Sequence, residues 1–152
     1  MNQQKKSKGF TIIEVVLVLA IAGLIFLMVF IAFPALQRSQ KDTQRKNDLS
    51  RAVTALINYQ SNNNGGVPGA GTYGTLIDKY LGGTTAFTDP SGTAYSFATL
   101  AIDSNSSPSA IGTIYVTDAS TCNGESLVAK TGARNIAMRM VLEGGGIACS
   151  NN

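Results

Sequence analysis

Residues 6–36 read KSKGFTIIEVVLVLAIAGLIFLMVFIAFPAL, and this stretch decides the architecture. From Val15 to Leu36, about 22 consecutive residues carry no charge. At about 1.5 Å per residue, a helix of that length crosses a hydrocarbon core of roughly 30 Å. One acid, Glu14, stands at the edge of the run. Ionisable groups in membrane helices are rare and usually have a partner or a task. Lys5, Lys6 and Lys8 precede the run, and Gly9-Phe10 separates them from it.

Working outward, composition narrows the chemistry. A chain of 152 residues fits one domain and an anchor, with a modest core from about residue 37 onward. It contains no His, the usual general base and common zinc ligand, and no Trp. The net charge of +3 comes from the three early lysines; without them basic and acidic residues number 9 each. A neutral remainder gives no reason to expect nucleic acid as a partner. No catalytic residue and no cofactor is expected.

Three readings of the N-terminus compete. A secretory signal would have a shorter apolar core and a small-residue cleavage site; the run is too long, and AFPALQ (residues 32–37) is a poor site. A plain signal anchor is poorly supported by charge, because Arg38, Lys41, Arg45, Lys46 and Arg51 follow the run within about fifteen residues. The third reading takes residues 1–9 as a basic leader cut after Gly9, and the residues favour it.

KGFTIIEVV (residues 8–16) resembles the processing motif of type IV pilin precursors: basic leader, Gly, Phe, then Glu at the fifth mature position. By that resemblance, Gly9 precedes the cut, Phe10 becomes an N-methylated terminus, and Glu14 is the family's acid. Cleavage would free an α-amino group about one helical turn from the Glu14 carboxylate. Glu14 suits the positive end of the helix dipole, and it could meet the amine of an incoming subunit. An unpaired charge in an apolar filament core costs several kcal/mol, so Glu14 is expected to set subunit register. The alternative is a charge that snorkels to the headgroups.

The helix is expected to continue past the membrane. Residues 37–60 hold neither Gly nor Pro, and Asn62-Asn63-Asn64-Gly65-Gly66 marks the end. Arg38–Asp42, Asp42–Lys46, Arg45–Asp48 and Asp48–Arg51 have the i,i+4 and i,i+3 spacings of a solvated face. Leu49, Ala52, Val53, Leu56, Ile57 and Gln60 form a mostly apolar stripe. The resulting helix would have about 50 residues and a length on the order of 75 Å. Gly23 and Pro34 interrupt the apolar half, and Pro34 should kink or loosen it. In type IV pilins the segment between such a Gly and Pro can lose helicity on assembly; Pro34 falls slightly later than the family position.

Beyond residue 65, Asn64-Gly65 and Asn123-Gly124 signal turns. Thr75 and Asp78 have capping-box spacing, with Gly82-Gly83 ending a short helix at Tyr80. Strands are expected over Ala94–Leu100, Gly112–Asp118, Arg134–Glu143 and Ile147–Ser150. The alternation in residues 134–143 implies a sheet with one buried face, whose partner is the stripe around Leu49–Ile57. The expected class is α+β. A long N-terminal helix packs on an antiparallel sheet of three or four strands, like a lollipop, which is similar to the type IV pilin fold. Its parts are a leader (1–9), a transmembrane or filament-core helix (10–36), an amphipathic continuation (37–62) and a β-rich domain (63–152).

Cys122 and Cys149, both outside the membrane run, are expected to pair, since an exported small domain with two cysteines favours a bridge. It would tie the last strand to the loop before the main strand. Asp89-Pro90-Ser91-Gly92-Thr93-Ala94-Tyr95 resembles the DP-x-G-x-x-Y turn of pilins and major pseudopilins. Some pseudopilins bind calcium in this region, which makes Asp89, with Asp78 and Asp103 nearby, a metal candidate; a structural turn is the better reading. The polar loop Ser104–Ser109 holds Asn105 in an N-x-S pattern but is read as unmodified. GGVPGAG (residues 65–71) lacks the Lys-Ser/Thr of a phosphate cradle.

The expected function is thus a non-enzymatic, self-polymerising pilus subunit. By resemblance its partners are a prepilin peptidase, an assembly platform protein and an assembly ATPase. The precursor would sit in the cytoplasmic membrane and the mature chain in a surface filament. The alternatives are a pseudopilin of a secretion or competence machine and a membrane-tethered glycan-binding module.

Overall fold

The computed structural model describes residues 9–69, 71–102 and 107–152, so Lys5, Lys6, Lys8, Asp103 and Asn105 lie outside the described residues. The chain separates into two compact units, Met1–Gln37 and Arg38–Asn152. Helix α1, Ile12–Asn62, contributes to both, and Pro34 lies within it. In the first unit α1 is apolar on every side, and its membrane-length window has no buried residue. A helix that is hydrophobic all round needs apolar surroundings from outside its own chain.

The second unit is α+β. After α1 comes α2 (Tyr73–Tyr80), then strands β1 (Ser96–Thr99), β2 (Thr113–Asp118), β3 (Ser120–Asn123), β4 (Ser126–Ala129), β5 (Ile136–Val141) and β6 (Ile147–Asn151). Four strands form one sheet in the order β1-β2-β5-β6, and β3-β4 form a separate hairpin. The core joins Leu49, Ala52, Val53 and Leu56 of α1 to Ile114 and Val116 of β2, Ile136, Met138 and Met140 of β5, and Ala148 of β6. Registers Val116↔Met138 and Met140↔Ala148 put these side chains on one face.

Several expectations need correction. The sheet is mixed rather than antiparallel: β1 runs parallel to β2, with Ser96 opposite Thr113 and Thr99 opposite Val116. A parallel pair needs a crossover connection rather than a tight hairpin, which the sequence pattern of the two strands does not announce. The sheet also has more than one buried face. In β5, Ala137 and Arg139 are buried as well as Ile136, Met138 and Met140. Tyr115, Arg139 and Cys149 share the outer face by register, and the bridge from Cys149 brings β3 to it.

Cys122 accordingly sits in a strand rather than a loop. The β3-β4 hairpin turns through Gly124 (φ 63°), at the first central position of a two-residue loop, where a positive φ favours glycine. Helix α2 starts at Tyr73, two residues before the expected cap. The Thr75 hydroxyl donates to the Thr72 carbonyl at 2.6 Å, so it caps nothing.

Candidate functional site

Two chemically distinct regions emerge, one in each unit. In the first, Gly9, Phe10 and Thr11 precede α1, and Phe10 is 84% exposed. Every large apolar side chain from Phe10 to Leu36 is exposed. Glu14 lies in the first turn, where its amide donates to the Thr11 carbonyl at 3.1 Å. Phe10, Glu14, Val15, Val18 and Leu19 line an open groove of about 320 Å³, an arrangement set by helical spacing. Among the described residues the Glu14 carboxylate has no ion pair. Gly23 meets nothing within 4 Å of the position a Cβ would take.

The second region surrounds Arg45, whose side chain is fully buried. Its guanidinium grips Asp89 with two bonds, Nε to Oδ1 at 2.6 Å and Nη2 to Oδ2 at 2.9 Å. It also donates to Asp42 Oδ1 at 3.0 Å, Glu143 Oε2 at 3.2 Å and Ser91 Oγ at 3.1 Å. Asp42 in turn accepts the amides of Glu143 (2.8 Å) and Gly144 (2.7 Å), so the β5-β6 turn closes on it. A Cβ at Gly144 would lie 2.9 Å from Asp42 Oδ2, so glycine permits this approach.

One turn further along α1, Asp48 accepts from the Tyr95 hydroxyl at 3.1 Å and from Arg51 at 2.9 Å. Arg51 also stacks over Phe87, 5.6 Å from its centroid, and Phe87 packs against Tyr95. Residues 87–95 are therefore fastened to α1 at two successive turns.

Titration follows this geometry. Burial alone would raise the Asp89 pKa, but hydrogen bonds from Arg45 and Ser91 outweigh it and hold it at about 2. Asp42 is lowered too, because the Gly144 and Glu143 amides and Arg45 overcome its burial. Arg45 is raised by Asp89 foremost, against its own desolvation. Tyr95 is raised by burial and by the nearby Asp48 and Asp89 charges, so it remains a donor.

The expected solvated face is thereby overturned for Asp42, Arg45 and Asp48, which are buried. Besides their i,i+3 pairs, their charges are satisfied by residues 44 to 102 positions away, which no local spacing reveals. A signal was nevertheless present, since 42, 45, 49, 52 and 56 form one stripe at helical spacing, continuing the apolar one. Asp89 is no open metal ligand: both its oxygens are occupied by a guanidinium. Asp78 lies on α2 and is exposed. Cys122 and Cys149 form a disulfide, their Cα atoms 5.8 Å apart.

The chain matches the family model of the prokaryotic N-terminal methylation motif over residues 4–30. No curated protein and no solved structure matches it.

Proposed function

We propose, on the premise that its N-terminus places this chain in the type IV pilin and prepilin family, that it is the structural subunit of a type IV pilus. The leader is removed after Gly9 by a prepilin peptidase, Phe10 is N-methylated, and the chain polymerises through residues 10–36. The carrying observation is the wholly exposed apolar helix of the first unit, with Glu14 its single charge. Such a surface is stable only in lipid or against other apolar helices. Transfer between those two environments is nearly neutral. Extraction therefore needs outside work, which the assembly ATPase and platform protein supply.

Within the filament, Glu14 fixes the stagger. A carboxylate that meets the Phe10 ammonium of a neighbour is neutralised, and a misplaced one stays buried and charged. Gly23 and Pro34 mark where α1 loosens on assembly. The disulfide braces the last strand of the β-rich unit.

Intact-mass analysis of the native chain tests the reading. A mature species that begins at N-methyl-Phe10 and retains the disulfide is expected, together with long surface filaments by electron microscopy. The same species without long filaments assigns the chain to a pseudopilus instead. An uncut chain that stays monomeric in the membrane refutes both.

A further inference from the structure

We infer that Thr11 sets the start of α1 so that the bond cleaved with the leader stays outside the helix, making it a positioning residue for processing. This rests on the prepilin reading, because it concerns the step that reading assigns. Residues 11–14 read Thr-Ile-Ile-Glu, the spacing of a capping box. The structure places Thr11 at the cap of α1. Its carbonyl accepts the amides of Glu14 (3.1 Å) and Val15 (3.3 Å), and its hydroxyl accepts the Glu14 amide at 3.4 Å. Gly9 and Phe10 lie just outside, both exposed.

A second observation concerns Gly9. It lacks a left-handed φ, and a Cβ there would meet nothing within 4 Å. Nothing in the described fold therefore requires glycine at this position. Its remaining local effect is resistance to helix, worth about 1 kcal/mol relative to Ala. Gly9 and Thr11 thus flank Phe10 with two helix-stopping residues.

The consequence is chemical. Were α1 to run back through Phe10, the Gly9 carbonyl would accept the Ile13 amide and the turn would shield its carbon. Left outside the helix, the Gly9–Phe10 bond presents backbone that a peptidase can hold extended. Its hydrolysis adds one water, leaving a carboxylate on Gly9 and an ammonium on Phe10. That ammonium emerges directly before the cap, so the Thr-x-x-Glu spacing that presents the bond also holds Glu14 in the first turn beside the new charge.

The test compares initial rates of leader removal from full-length precursor in membranes by a prepilin peptidase, read by mass, for wild type and for Thr11→Ser, Thr11→Asn, Thr11→Val and Thr11→Ala. Ser and Asn also cap helices, so both should cleave within about twofold of wild type. Val keeps the shape of Thr without an acceptor, and Ala has none; both should be about fivefold slower, the population shift from losing one cap. Hydrogen exchange at the Glu14 amide in micelle-embedded precursor should accelerate in the same two variants. Equal rates across the series, or Val faster than Asn, would overturn the inference while leaving the prepilin reading intact. Failure of wild type to be cut at Gly9–Phe10 would overturn both.

Discussion

Glu14 and Asp89 are both carboxylates, and the chain treats them in opposite ways. Asp89 is 2% exposed and both its oxygens are held by Arg45. Glu14 stands on an exposed helix and has no ion pair among the described residues. A buried charge without a partner is strongly destabilising, so the second unit carries its counter-ion within itself. In the first unit, the proposed function supplies the counter-ion from a neighbouring copy. The contrast separates a domain that pairs its own buried charges from a segment that, under the proposed function, is completed by assembly.

The sharpest way to break this contrast is to remove the built-in partner. Arg45→Met keeps an apolar stem but strands Asp42, Asp89 and part of Glu143. It should destabilise the β-rich unit by about 3–5 kcal/mol, measured as a lower urea midpoint by circular dichroism of the detergent-solubilised chain. An unchanged midpoint would mean that the carboxylates find other partners.

Next in size is the covalent brace. Cys122 and Cys149 are 27 residues apart in sequence, a loop whose closure stabilises by roughly 3 to 4 kcal/mol in the entropic account. The Cys122→Ser/Cys149→Ser double variant should melt lower by that amount, and reducing agent should then have no further effect.

Acid gives a graded version. Asp89 and Asp42 have folded pKa values below the ordinary carboxylate value of about 3.9. The stability they confer is therefore fully present above about pH 4 and is lost as pH falls towards about 2. Urea midpoints should be flat from pH 8 to 4 in this respect and then decline. The Arg45→Met chain should show a weaker decline, because its carboxylates already titrate higher.

The smallest effect on folding sharpens the contrast from the other side. Glu14→Ala should leave the urea midpoint within about 0.5 kcal/mol of wild type, since the carboxylate meets nothing in the described chain. Leader cleavage should still occur, yet filaments should be absent by electron microscopy. Normal filaments would remove Glu14 from its proposed role in register.

How much was legible varied with the range of the interaction. The 51-residue helix was readable because its pattern is local: no breaker between Gln37 and Asn62, and an apolar stripe at helical spacing. Strands β2, β5 and β6 were readable from β-branched and apolar runs. The parallel pairing of β1 was not, because strand direction depends on where the connection travels. Hairpin β3-β4 was missed because Ser120–Asn123 and Ser126–Ala129 are short and lightly buried, leaving only the Asn123-Gly124 turn as a signal. The Arg45 cluster was misread as solvated because i,i+3 charge pairs look the same whether they face water or a sheet.

By itself, then, the sequence determined the long helix, its membrane-length apolar half, the leader pattern and the position of Glu14. All of these follow from neighbours within a few turns of the chain. Only the tertiary structure decided that Arg45 is buried, that Asp89 and Glu143 come to it from 44 and 98 residues away, and that the sheet is mixed. Whether a charge is solvated or clasped depends on which distant backbone arrives beside it, and that information is held by the packing as a whole.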